Sequence, residues 1–100
     1  MVTIREIQEQ ARELRAAQGW PDAPAEERAL SLVAEVGELV REVLRLARRG
    51  EGEDPAEVRD RLGLEMYDVV WNVCDLADKL GIDLDRAFAE KAALNRSRRW

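Results

Sequence analysis

The sequence predicts an all-α protein of four helices, the two longest of them antiparallel neighbours in an oligomeric helical bundle. Three observations predict it. Apolar residues recur every three or four positions, and no stretch alternates with the period of two that a strand needs. Helix start and stop signals punctuate the chain at Thr3 and Gly19, at Pro24, at Asp54-Pro55 and Gly81, and at Asp83. The stretch Leu62–Gly81, LGLEMYDVVWNVCDLADKLG, reads as one long and mostly apolar helix. On it Leu62, Met66, Val69, Val70, Val73, Cys74, Leu76, Ala77 and Leu80, with Val58 before them, cover a broad arc. Glu65, Asp68, Asn72, Asp75 and Lys79 fall in one narrow polar stripe down the same rod.

In the first helix Thr3 and Glu6 form a capping box, and Ile4, Ile7, Ala11 and Leu14 repeat at helical spacing. It ends near Gln18, with Gly19 as its stop. Trp20-Pro-Asp-Ala-Pro24 is a rigid loop. The second helix spans roughly Ala25 to Arg49, with Glu26 and Glu27 at its positive end and Gly50 as its stop. Its apolar residues form two heptad rows. One is Leu30, Val33, Gly37, Val40, Leu44 and Ala47; the other is Leu32, Val36, Leu39, Val43 and Leu46. Together they cover about 200° of the wheel, twice the stripe that a one-sided surface helix needs. Gly37 inside that arc costs about 1 kcal/mol relative to Ala, which a neighbouring helix crossing closely there would explain.

Gly50 to Glu53 is a short link. Asp54 caps the third helix, Pro55 takes its first position, Gly63 is a place for a kink or a restart, and Gly81 ends it. Asp83 caps a fourth helix carrying Leu84, Ala87, Phe88, Lys91, Leu94 and Asn95. The tail Arg96-Ser-Arg-Arg-Trp100 is basic.

One hundred residues imply a single domain over 1–100. The second and third helices, each about 25 residues, are roughly 37 Å long. A compact chain of this size has a radius of gyration of about 13 Å. Two short helices cover such rods poorly, which predicts a homodimer or homotetramer with a shared bundle. The net charge of −5 argues against a nucleic-acid partner. No apolar run is long enough for a membrane span. Cys74, the only cysteine, permits no intrachain disulfide and favours a cytoplasmic setting. It reads as a small buried residue. With no histidine in the chain, Ser-His and Cys-His catalysis are excluded, as are His-bearing metal sites. There is no phosphate-binding GxxxxGK[ST] loop and no GxGxxG. Carboxylates, Lys, Arg and a metal must carry any chemistry.

The second helix repeats the acidic pattern of the third. Glu35 and Glu38 lead a stripe through Glu42, Arg45 and Arg49, with the same offsets as the stripe that begins at Glu65. If the stripes of two antiparallel neighbours face each other, Glu35, Glu38, Glu65 and Asp68 converge. Two unit charges 4 Å apart repel by about 4 kcal/mol at an effective dielectric of 20, so such a cluster needs a proton or a cation. Hard oxygen donors without His or Cys select Mg²⁺ or Mn²⁺. The competing reading of the same spacing is a solvated acidic face.

These residues also carry a resemblance. AEVGELVREV (Ala34–Val43), LEMYDVVWNV (Leu64–Val73) and LGIDLDRAFAEKAALNRSRRW (Leu80–Trp100) resemble the MazG-like, all-α nucleoside triphosphate pyrophosphohydrolases. That family reads ExxE, a spacer, then ExxD; here the spacer, Leu39 to Leu64, is 26 residues. Its C-terminal segment is matched at Gly81, Ile82, Asp83, Leu84, Ala87, Lys91, Asn95, Arg98, Arg99 and Trp100. The resemblance covers the chain from Trp20 on. It departs at Ala34, where many members carry a further glutamate and the dCTP-pyrophosphatase-like branch does not; this leaves the number of metal ions open.

The resemblance implies hydrolysis of a nucleoside triphosphate between its α- and β-phosphates, giving monophosphate and pyrophosphate. Glu35, Glu38, Glu65 and Asp68 would hold Mg²⁺, with Glu38 and Glu65 acting on the attacking water. Lys91, Asn95 and Arg98 would bind phosphates, and Trp20 would stack on the base. Trp71 reads as core or dimer interface, and Asn72 and Asp75 as outer supports of the site or exposed groups. Two other readings compete. One is phosphoribosyl-ATP pyrophosphohydrolase, which shares the paired acids; the other is a non-catalytic helical interaction module whose acids only solubilise it.

Overall fold

The computed structural model describes residues 2–20, 22–48 and 53–98, and all regular structure among them is helical. Four helices follow in order: α1 (Ile4–Gln18), α2 (Ala25–Arg48), α3 (Pro55–Lys79) and α4 (Leu84–Ser97). The expected stop at Gly50, most of the link after it, and Arg99 and Trp100 of the tail lie outside the described residues.

Local chemistry sets the helix ends. Thr3 Oγ1 accepts from the Glu6 amide at 3.1 Å, and Gly19 closes α1 at φ 62°, a left-handed conformation that a side chain would strain. Asp54 Oδ1 accepts from the Ala56 amide at 3.0 Å at the start of α3. Gly81 adopts φ 69° beyond the end of α3, and Asp83 Oδ1 accepts from the Arg86 amide at 3.2 Å to open α4. The α3 helix runs through Gly63 without a break.

The backbone divides into two compact units, one of Met1–Pro21 with Cys74–Trp100 and one of Asp22–Val73. In the first, Ala11, Cys74 and Ala77 are buried. Gln8, also buried, ties α1 to the turn between α3 and α4: its Nε2 donates to the Ile82 carbonyl at 3.0 Å and its Oε1 accepts from the Leu84 amide at 3.4 Å. Burial pushes the Cys74 thiol pKa up, with Asp85 adding to it.

Asp75 departs from its expected place in an acidic stripe around the site. It is fully buried, and Arg15 of α1 reaches it at 2.9 Å. Arg15 also donates to Asp78 Oδ2 at 2.7 Å, and Arg12 pairs with the same carboxylate. Two successive turns of α1 thus carry cations that meet the acids at the end of α3. Farther out, Arg5 reaches Asp83 and Asp85 in exposed pairs at 3.4 and 3.3 Å.

In the second unit Val58 and Leu62 are buried, while α2 buries no residue fully. Of its two apolar rows, Leu32, Leu39 and Leu46 are half-buried. The row through Gly37 is exposed throughout. The close crossing expected at Gly37 is not seen among the described residues, where a Cβ built at Gly37 meets nothing within 4 Å. The broad arc of α3 is likewise only partly covered, with Met66, Val70 and Val73 exposed and Trp71 half-buried.

The buried and exposed ion pairs should separate in a stability measurement. Arg15→Met removes the guanidinium that faces Asp75 and should cost on the order of 3 kcal/mol in urea unfolding. Arg5→Ala, at a solvated pair, should cost under about 1 kcal/mol. The Arg12 hydrogen bond holds the Asp78 carboxyl below its ordinary value of 3.8, against the opposing effect of burial. A depressed acid stabilises the fold above its unfolded value and loses that contribution as pH falls through the depressed one. Asp78→Asn should therefore flatten the fall in melting temperature below about pH 4; an unchanged acid profile would refute this assignment.

Candidate metal centre

In the Asp22–Val73 unit, Glu35 and Glu38 lie one turn apart on one face of α2, and Glu65 and Asp68 repeat that spacing on α3. One carboxylate oxygen each from Glu35, Glu38 and Glu65 lies within 4.8 Å of the others. Asp68 stands outside this tight group but close enough for its charge to act on both Glu35 and Glu65. Asn72 turns back along α3, its Nδ2 donating to the Asp68 carbonyl at 2.7 Å.

Burial is uneven within the cluster. Glu38 is exposed and Glu35 and Glu65 are half-buried. Glu35 Oε2 and Glu65 Oε2 are shut off from solvent, and no protein donor among the described residues serves either. Desolvation, then the charges of Glu38, Asp68 and Glu65, raise the Glu35 pKa above its ordinary 4.5, and the nearby Glu38 carboxyl adds to the rise as a hydrogen-bond partner. Glu65 is raised in the same direction by desolvation and then by Glu38, Asp68 and Glu42.

Glu42, one turn beyond Glu38, shows what a compensated acid looks like on the same helix. Arg45 Nη1 donates to its Oε1 at 3.1 Å, and Arg61 Nε stands 3.6 Å from its Oε2. Both arginines also face Glu53. No comparable cation lies against Glu35, Glu38, Glu65 or Asp68 among the described residues. Sequence reading missed Arg61. The available signal was its position, one turn before Glu65 on the polar stripe of α3.

The donor set fits a hard divalent ion. Its oxygens are carboxylate, two of them are buried without a partner, and the cluster is more negative than its surroundings offset. Mg²⁺ or Mn²⁺ would be held by Glu35, Glu38 and Glu65, with Asp68 adjacent. The other residues singled out by sequence, Trp20, Lys91, Asn95 and Arg98, belong to the first unit and are exposed. Lys91 and Asn95 lie on α4, and Arg98 caps its end with its amide donating to the Asn95 carbonyl at 3.3 Å. Compared with protein-family models and with curated proteins, the chain matches none. Among the described residues, no helix is long and apolar enough to cross a membrane.

The raised acids fix the sign of a pH effect. In chelator, groups that bind protons more tightly in the folded state make it less stable as pH rises above about 4.5. Mg²⁺ at 100 times its dissociation constant should restore about 2.7 kcal/mol at neutral pH. Glu35→Gln should raise the metal-free melting temperature at pH 8 and shrink the Mg²⁺ shift. Thermal denaturation with and without Mg²⁺ reads both effects, and a melting temperature indifferent to Mg²⁺ would dispose of the metal centre.

Proposed function

We propose that this protein is a divalent-metal-dependent hydrolase that cleaves a nucleoside triphosphate between its α- and β-phosphates. One observation carries the reading: Glu35, Glu38 and Glu65 converge while Glu35 Oε2 and Glu65 Oε2 are buried without a donor. These are three of the four carboxylates to which the ExxE and ExxD resemblance assigns the metal. The ion, when bound, supplies charge neutralisation for the triphosphate and acidifies a coordinated water.

The chain's own residues divide the remaining work. Glu35 and Glu65 present oxygens from half-buried positions on two helices, which fixes them better than loop residues would be fixed. Glu38, exposed beside them, is the carboxylate that solvent and substrate reach, and it accepts the proton of the attacking water. The water oxygen bonds to the α-phosphorus, the bridging bond to the β-phosphate breaks, and pyrophosphate leaves. No covalent intermediate on the protein is needed. Glu42, held by Arg45 and Arg61, closes the acidic stripe and keeps a further negative charge from competing for the ion. The resemblance further assigns the phosphates to Lys91, Asn95 and Arg98 and the base to Trp20.

The oligomeric bundle belongs to the same proposal. Residue pairs support antiparallel long helices, since Glu35 senses Asp68 while Glu42, farther along α2, meets Arg61, farther back on α3. The exposed apolar residues of α2 and α3 support a homodimer or homotetramer.

The test is a panel of nucleoside and deoxynucleoside triphosphates, with phosphoribosyl-ATP included, incubated with Mg²⁺ and scored for monophosphate and pyrophosphate. Glu65→Ala should lower turnover by about 100-fold or more with the helical content intact. Lys91→Ala should raise KM more than it lowers kcat. Release of orthophosphate, or turnover that persists in chelator, would overturn the assignment.

A further inference from the structure

The acids of the metal centre end at an arginine. Along α2, Glu35, Glu38 and Glu42 fall at steps of three and four, and along α3 Asp68, Glu65 and Arg61 fall at the same steps in reverse. All six belong to the Asp22–Val73 unit, and each α2 acid has a counterpart on α3. The charge of Asp68 acts on Glu35, Glu65 lies with Glu38, and Arg61 pairs with Glu42. The first two meetings set acid on acid. The third sets acid on guanidinium, and there the cluster stops.

Glu42 is otherwise equipped as a ligand. Its side chain is 15% exposed, and its charge acts on Glu65 together with those of Glu38 and Asp68. Its two oxygens stand differently. Oε1 accepts from Arg45 Nη1 at 3.1 Å. Oε2 is shut off from solvent and accepts no hydrogen bond among the described residues; Arg61 Nε stands 3.6 Å from it, beyond hydrogen-bond reach. Arg61 thus offsets the charge of that oxygen without occupying its lone pairs. Glu53 faces both arginines, so two acids and two guanidiniums form a group with no net charge. Partly exposed pairs of this length add little to stability, and holding two helices together is a poor account of Arg61. What it changes is the charge beside the carboxylate cluster.

We infer that Arg61 is a positioning residue of the metal centre: it holds the buried oxygen of Glu42 apart from Glu35, Glu38 and Glu65 and so keeps Glu42 out of the ligand set. This rests on the metal reading of those carboxylates. It makes a residue outside the ligand set decide how strongly a divalent ion is held. Without Arg61, Glu42 joins the ligands and Mg²⁺ binds more tightly.

The test is a calorimetric titration of Mg²⁺ into the full chain at neutral pH, without nucleotide. Arg61→Met keeps an apolar stem and removes the charge; it should tighten Mg²⁺ binding about tenfold, where mere damage to the fold would weaken it. Arg61→Lys retains a cation and should stay within about twofold of the unaltered chain. Glu42→Gln alone should also stay within about twofold, yet in the Arg61→Met background it should abolish the whole gain. That coupling separates a released ligand from a change in overall charge, whose effects would add. Circular dichroism checks that each variant is helical, and Arg61→Gln repeats the test should Arg61→Met fail to fold. Mg²⁺ binding that is unchanged or weaker without Arg61, or effects of Arg61→Met and Glu42→Gln that merely add, overturns the role of Arg61 and leaves the metal centre standing. An unaltered chain that takes up no Mg²⁺ overturns the metal reading itself, and this role with it.

Discussion

Mutual repulsion among carboxylates governs this structure. Folding brings Glu35, Glu38 and Glu65 within 4.8 Å of one another and puts Asp68 beside them. It also withdraws one oxygen of Glu35 and one of Glu65 from water without giving either a donor. Desolvation and like charge push in the same direction, toward protonation, and both raised pKa values follow from that. A chain that keeps such a cluster gives up stability for it, and the loss ends only when a proton or a cation arrives. The metal reading rests on that imbalance rather than on the spacing of the acids, which a solvated face would share.

The rest of the molecule shows that the imbalance is local. At the end of α3, Asp75 is buried more deeply than either glutamate, yet Arg15 reaches it and Asp78 together, and Arg12 adds a second guanidinium. On α2 itself, Glu42 is matched by Arg45 and Arg61. Buried acids elsewhere in the chain therefore come with arginines, whose planar fork suits carboxylates. Where Glu35, Glu38 and Glu65 meet, no arginine pairs with them among the described residues. Surface salt bridges are weak evidence for anything; the contrast between compensated and uncompensated acids on one helix is stronger, because the backbone environment is shared.

Much of this was legible in the residues themselves. Thr3, Gly19, Asp54, Gly81 and Asp83 set helix ends by hydrogen bonds spanning a few positions, so a sequence scan finds them. The acid pairs were visible for the same reason, being one turn apart on each helix. Asp75 was not. It lies on the same stripe as Glu65 and Asp68, and nothing local separates a structural acid from a ligand. Its partner Arg15 is sixty residues away, and only the packing of α1 against the end of α3 tells the two apart. Arg61 escaped because the stripe was taken to begin at Glu65. Gly37 was read as a close crossing on the basis of apolar periodicity, which shows that a face can be covered and not what covers it.

The two surfaces of α2 are compatible because of where the helix puts them. At about 100° per residue, the acids Glu35, Glu38 and Glu42 and the line through Gly37 are separated by about 140° around the axis. The half-buried Leu32, Leu39 and Leu46 fill the sector beyond the acids. The bare apolar line and the carboxylates therefore face different directions, and covering the first would not close off the second. The same geometry explains why α2 tolerates having no fully buried residue. Only part of its apolar arc is covered within its own unit, at Leu32, Leu39 and Leu46, while the line through Gly37 stays exposed. A helix that served only association would have no reason to keep Glu35 and Glu38, two glutamates without a cation, on its other side.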